Sequence, residues 1–239
     1  MRYICALTIA GSDCSGGAGI QADIKTMSAL GVYAAAAITS ITVQNTKGVK
    51  AVHGVNSLVV ADQIKAVMDD IKPDAVKIGM VNDCATIHAI ADTLKHYPKC
   101  PIVIDPIMVS TSGFYLMNPD ALELFCDSLL PMSTLLTPNL LETEILSNMK
   151  INTIDDMDIA AQKIMSLGCN AVLIKGGHID GGEKVDRLYM ANGGVQTFTH
   201  KTIDTRNTHG TGCTLSSAIT SFIARGLELA DAIAAAKNY

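Results

Sequence analysis

Hydrophobic and polar positions follow two alternating rhythms along this chain. Short apolar, β-branched runs at 3–10, 35–43, 75–79, 102–104, 134–136 and 171–174 predict strands. Two more polar stretches, 186–191 and 195–200, predict two further strands around Asn192-Gly193-Gly194, a hairpin signal. Between the runs, apolar residues recur at helical spacing. Val60, Ile64, Val67 and Ile71 keep to one face of a helix, as do Ile20, Ile24 and Met27. Ile87, Ile90 and Leu94 repeat the pattern, and so do Leu215, Ile219 and Phe222. Thr137-Pro138 and Asn118-Pro119 each read as an N-cap with proline at the first helical position, and Pro131 stops the Asn118 helix. Thr153 with Asp156 reads as a capping box, closed by Gly168. This alternation predicts a three-layer α/β/α architecture around a central, mainly parallel sheet. No linker, repeat or low-complexity segment interrupts it, so residues 1–239 are expected to form one domain.

Composition narrows the function. Hydrophobic residues make up 49% and charged residues 17% of the chain, enough for a large core and against disorder. The net charge is −5 and no basic cluster stands out, which argues against a nucleic-acid partner. Seven cysteines, at 5, 14, 84, 100, 126, 169 and 213, contain no C-x-x-C pair and fit a reducing cytoplasm. No apolar run is long enough to span a membrane, and the short N-terminal one lacks the form of a secretory peptide.

Candidate chemistry collects where the predicted strands end, the rim at which open α/β sheets bind ligands. Run 3–10 leads into Gly11-Ser12-Asp13, run 35–43 into Gln44 and run 75–79 into Met80. Run 102–104 leads into Asp105, run 134–136 into Asn139 and Glu142, and run 171–174 into Lys175. The glycine-rich stretch from Gly11 to Gly19 is neither a Walker A loop nor a dinucleotide fingerprint. It predicts a loop allowing close backbone approach to a ligand, followed by a helix that carries Asp23; a plain strand–helix turn is the competing reading. A second such stretch, Asn207-Thr208-His209-Gly210-Thr211-Gly212-Cys213-Thr214, precedes a helix expected to begin near Cys213. Main-chain N–H groups and the helix dipole make that start an anion hole suited to a phosphate. The same field is expected to lower the Cys213 thiol pKa, so that a thiolate takes a proton from an attacking hydroxyl; a small packing residue is the alternative. Asp105 and Glu142 are candidate Mg²⁺ ligands, with Asn139 beside them and Lys175 neutralising phosphate charge; capping by Asn139 and a solvated Glu142 is the alternative. Among the six histidines only His209 falls in a candidate site.

These segments together resemble the hydroxymethylpyrimidine/phosphomethylpyrimidine kinases of the ribokinase superfamily. The resemblance is carried by Ala10 to Lys25, Thr42 to Thr46, Lys77-Ile-Gly-Met80, Asp105 to Ser110, Thr137 to Glu142, Leu173 to His178 and Asn207 to Thr214. It implies a ribokinase-like fold and two successive phosphoryl transfers from MgATP, to hydroxymethylpyrimidine and then to its monophosphate. By the same resemblance Gln44 hydrogen-bonds the pyrimidine edge, and Gly11, Asp23 and Met80 line its pocket. Gly210, Thr211, Gly212 and Cys213 form the catalytic segment, Lys175, Asn139 and Lys237 serve the nucleotide, and Asp105 and Glu142 serve the metal. Residues 107–116, with Ser110, Ser112 and Gly113, resemble a flap. Sugar kinases of the superfamily carry aspartate where Cys213 stands, so the cysteine marks the pyrimidine and pyridoxal branch. Pyridoxal kinase is the nearest alternative, and a non-catalytic pyrimidine-binding relative is another. Relatives also imply a homodimer. Two departures stand out: Cys14 replaces an expected proline or serine, and the chain stops at Tyr239 where relatives continue, so a truncation is expected.

Overall fold

The structure is a computed structural model that describes residues 2–110, 113–176, 184–200 and 209–239. In chain order its strands are β1 (Cys5–Asp13), β2 (Tyr33–Asn45), β3 (Gly48–Gly54), β4 (Ala75–Ile78), β5 (Ile102–Ile104), β6 (Leu135–Leu136), β7 (Ala171–Lys175), β8 (Lys184–Met190) and β9 (Val195–His200). The helices are α1 (Gly19–Ala29), α2 (Ser57–Asp70), α3 (Cys84–Leu94), α4 (Ala121–Ser128), α5 (Leu140–Ser147), α6 (Ile154–Met165), α7 (Thr211–Ala224) and α8 (Leu229–Asn238).

All nine strands belong to one sheet, in the order β3-β2-β1-β4-β5-β6-β7-β8-β9. The run from β2 to β7 is parallel, and β3, β8 and β9 are antiparallel. From β1 the chain steps one way to β2 and β3, then returns to the other side of β1 with β4. Right-handed crossovers therefore put α1 on the opposite face from α2. Helices α1, α7 and α8 pack together on one face; α2, α3, α4, α5 and α6 cover the other. The crevice at this reversal, between β1 and β4, is where a ligand site is expected in such a sheet.

The apolar stripes read from sequence face the core. Val60, Ile64, Ile87 and Ile90 are fully buried, and Met27 and Ile219 are too. The Thr153–Asp156 capping box forms, with both reciprocal hydrogen bonds present. The β8–β9 hairpin turns at Gly193, whose φ of +82° calls for glycine.

Some boundaries differ from those expected. Thr137 and Pro138 do not start a helix: Asn139 is the N-cap of α5, and its capping box with Glu142 satisfies the first-turn amides more fully than Thr137 would. Asn118-Pro119 forms a turn whose Asn118 carbonyl accepts from Ala121 N–H, so α4 begins two residues after the proline. That helix ends at Ser128, and Pro131 sits in a 3₁₀ turn beyond it. Strand β3 is not predicted by the apolar pattern, because Gly48–Gly54 is a half-exposed edge without clean alternation. Among the described residues, no helix is long and apolar enough to cross a membrane.

Candidate functional site

A cavity of about 670 Å³ opens along the carboxyl ends of the parallel strands. Its walls come from segments far apart in sequence. Gly11 and Asp13 close β1, Gln44 ends β2, Met80 comes after β4, Asp105 after β5, Asn139 and Glu142 start α5, and Lys175 ends β7. Gly210, Thr211, Gly212 and Cys213 bring in the start of α7, and Lys237 reaches in from the last turn of α8. Every residue singled out from sequence for substrate, nucleotide, metal or catalysis borders this space except Asp23.

Asp23 is fully buried beneath the cavity, on the core face of α1 between Ile20 and Met27. It pairs with the equally buried Lys77 at 2.9 and 3.0 Å. Thr8 and Ser217 each donate a hydroxyl hydrogen bond of 2.6 Å to it. With both oxygens occupied in this way, Asp23 has no place in the pocket wall. The sequence did hold a signal: Ile20 and Met27 set a helical stripe, and position 23 lies within it.

The two glycine-rich stretches interlock. Gly210 has φ +81° and is the N-cap of α7, whose first residue, Thr211, comes two residues earlier than the start expected near Cys213. A Cβ on Gly210 would lie 1.8 Å from the Gly17 carbonyl oxygen, and one on Gly19 would lie 2.2 Å from that of Gly11. No side chain fits at either contact. His209 Nε2 meets Asp13 Oδ2 at 2.9 Å, tying the loop after β1 to the start of α7. Burial would lift the Asp13 carboxyl, but hydrogen bonds from Ser15, His209 and Ala18 hold it well below the usual carboxylate range. A glycine N-cap offers no side-chain oxygen to the first-turn amides, so the positive end of α7 is turned to the cavity.

Around that helix start stand Asp105, Lys175 and Glu142. Lys175 Nζ lies 3.2 Å from Asp105 Oδ1, and a Cβ on Gly212 would approach Lys175 Nζ to 3.4 Å. Thr137 and Ser216 hydroxyls each donate to Asp105 at 3.3 Å. Burial would raise the Asp105 carboxyl, yet Lys175 and Lys77 hold it below its ordinary value. Glu142 is buried rather than solvated; burial, with the Asp105 charge added, pushes its carboxyl up to about 7 against the pull of Lys175. Asn139 does cap α5, so capping and cavity-lining coexist in one residue. Two buried carboxylates facing one lysine are a hard-oxygen donor set that fits Mg²⁺ sharing its remaining positions with phosphate and water. Among the described residues no group of three or more His, Cys, Asp or Glu is arranged around a metal position, so these residues by themselves build no complete cage.

Cys213 corrects an expectation. The thiol is buried, and burial pushes it up to about 11 rather than down; Lys77 opposes this, while Asp23 and Asp105 add to it. The helix field does not overcome the loss of water. Lys237 is held by an ion pair to Asp186, which also accepts the Gly176 N–H at 3.1 Å. Asp186, on the antiparallel strand β8, carries no mark in the sequence, where it is one more polar residue of a polar strand. Cys14, the unusual residue in the first loop, donates its thiol to the Gln44 carbonyl at 3.2 Å. Within 107–116, Val109 forms an antiparallel bridge with Tyr115, Gly113 N–H donates to the Ser110 carbonyl at 2.9 Å, and Val109 and Ser110 border the cavity. Ser112, Gly177, His178, Asn207 and Thr208 lie outside the described residues.

Known proteins resemble this chain over nearly its whole length. A family model described as phosphomethylpyrimidine kinase matches residues 13–239. The hydroxymethylpyrimidine/phosphomethylpyrimidine kinase of Rhizobium meliloti is 49% identical over 98% of this chain and 88% of its own length. The crystal structure of phosphomethylpyrimidine kinase from Clostridium difficile 630 is 48% identical and superposes with a TM-score of 0.87, covering 99% of this chain and 97% of that one. An ADP complex of Bacillus subtilis pyridoxal kinase is 38% identical with a TM-score of 0.88, covering 100% and 90%.

Proposed function

This chain belongs to the phosphomethylpyrimidine kinase family and is a ribokinase-like phosphotransferase, and from that premise we propose that it phosphorylates 4-amino-5-hydroxymethyl-2-methylpyrimidine and then its monophosphate, using MgATP. The observation that carries the proposal is the meeting of a helix N-terminus with no side-chain cap, a lysine, two carboxylates and Gln44 along one cavity. A side-chain amide offers a donor and an acceptor together, the complement of an aminopyrimidine edge. Gly11 and Met80 shape the floor beneath it. The first-turn amides of α7 receive the transferred phosphoryl group, and Lys175 offsets its charge. Asp105 and Glu142 would hold Mg²⁺, which would supply charge neutralisation at the phosphates. Asn139 and Lys237 border the nucleotide end.

Cys213, in the first turn of α7, takes the proton of the attacking hydroxyl. Its raised pKa means that the sulfur carries its own proton, which must first pass to solvent before the thiolate can accept that of the hydroxyl, and neighbouring charges govern that loss. We further take residues 1–239 as one kinase domain working in a reducing, cytoplasmic compartment, which the seven unpaired cysteines support. Two copies of the chain are proposed to pair; Ile41 and Val43 near the end of β2 are exposed apolar residues that support it.

Pyridoxal is the second reading, supported by the fold shared with the pyridoxal kinase. The deciding experiment supplies MgATP with either alcohol and analyses products by mass spectrometry. The pyrimidine mono- and diphosphate are expected; pyridoxal phosphate formed in strong preference would overturn the substrate assignment.

A further inference from the structure

Lys77 is unexplained by the site as described. It is the largest fully buried side chain, it stands in a strand whose other members are all apolar, and it is no part of the cavity wall. Burying an ammonium is costly unless paired, and here the pairing is complete: Asp23 from α1 meets it with both oxygens, at 3.0 and 2.9 Å. The local sequence makes room for it. A Cβ on Gly79 would come within 2.7 Å of Lys77 Nζ, so the glycine two residues on leaves the space that the ammonium occupies.

The pair is tied to the catalytic helix. Asp23 Oδ1 accepts the Ser217 hydroxyl at 2.6 Å, and Ser217 lies four residues after Cys213, one turn along the buried face of α7. Asp23 Oδ2 is fixed from the other side by Thr8 of β1. We infer that Lys77 is a positioning residue for Cys213: with Asp23 and Ser217 it anchors the turn that carries the thiol and sets a fixed positive charge beneath the sulfur. This rests on the proposed role of Cys213.

The charged groups acting on that sulfur come from four elements. They are Lys77 of β4, Asp23 of α1, Asp105 after β5 and Lys175 of β7. Lys77 is the strongest influence favouring the thiolate, and the two carboxylates oppose it. Lys175 borders the cavity, where an incoming phosphate competes for it. Lys77 is sealed from solvent; Asp23, Cys213 and Asp105 together hold its own pKa above the ordinary lysine value against the effect of burial.

The test measures iodoacetamide labelling of Cys213 at pH 8 by peptide mass spectrometry, alongside turnover with MgATP and hydroxymethylpyrimidine. In the paired variant Lys77→Met/Asp23→Asn both charges vanish while shape is kept. Labelling of Cys213 is expected to fall about tenfold, the change in thiolate that one pKa unit produces. Turnover falls with it, while KM for both substrates holds. Asp23→Asn alone removes only the opposing charge, so labelling is expected to rise. A purely structural pair would move both variants the same way. Labelling within about twofold of the unaltered protein in the paired variant, or slowed labelling in Asp23→Asn, overturns the inference whatever turnover does. Should the paired variant not fold, the pH profile of Cys213 labelling in Asp23→Asn decides: a curve displaced to lower pH supports the inference, and faster labelling without displacement overturns it. Failure of the Cys213 reading is seen separately, as a Cys213→Ala enzyme of unchanged rate.

Discussion

Two lysine–aspartate pairs act on Cys213, and they are built to opposite ends. Lys77–Asp23 has both side chains at 0% exposure and two contacts of 2.9 and 3.0 Å, with Thr8 and Ser217 filling the remaining acceptor sites. Lys175–Asp105 has a single contact of 3.2 Å, its lysine is 17% exposed, and it opens on the cavity beside Glu142. Desolvation and saturation make the first pair a fixed part of the scaffold. A lone, longer contact beside a second carboxylate makes the second pair able to exchange partners when phosphate and metal arrive. The same two residue types thus supply rigidity in one place and chemistry in another, and burial decides which.

Breaking the buried pair has the largest expected effect. Lys77→Met leaves Asp23 charged and unpartnered, and should cost roughly 3–5 kcal/mol of stability, read by urea denaturation. A loss below about 1 kcal/mol, the scale of an exposed ion pair, would erase the contrast. Lys175→Met should do the reverse, with stability nearly unchanged and turnover lowered about a hundredfold, the scale of losing one electrostatic contact to a transition state. Equal damage to stability from both variants would show that the cavity pair is scaffold as well.

Smaller effects sharpen the picture away from the pairs. Gln44→Ala should weaken pyrimidine binding by about 1–3 kcal/mol without touching KM for ATP, measured by calorimetry and steady-state kinetics. The Asp13–His209 link offers a pH handle. Because the folded Asp13 carboxyl lies below its unfolded value of 3.8, its contribution to stability is present above that pH and disappears as the pH falls through the depressed value. Asp13→Asn should therefore lower Tm by several degrees at pH 6, by only somewhat less near pH 3, and by little once the pH reaches the depressed value; a drop that stays constant down to that value would assign the effect to packing alone.

Much of this arrangement is legible in the sequence because it depends on periodicity and strand ends. The apolar runs locate six strands and the hairpin signal two more, and the residues at the carboxyl ends of the runs locate Gln44, Met80, Asp105 and Lys175 on one rim. The misreadings share a cause: residue type is local, whereas burial and partners are not. The resemblance puts Asp23 in the pocket wall, and only the approach of Lys77, 54 positions away, makes it a core residue. Cys213 is expected to titrate low from its helix position alone, and the layers packed over it reverse the sign. Lys77 is the clue that sequence offers. A lysine inside an otherwise apolar central strand demands a buried carboxylate, and the stripe on α1 holds one.

The central claim is that the amides opening α7 receive phosphate between Lys175 and Cys213. A crystal structure with Mg²⁺ and a non-hydrolysable ATP analogue tests it most directly. The account predicts terminal phosphate oxygens within about 3 Å of the Gly212 and Cys213 N–H groups, with Lys175 Nζ turned from Asp105 towards them. Terminal phosphate bound elsewhere, with the Lys175–Asp105 contact intact and the first turn of α7 empty, would contradict it.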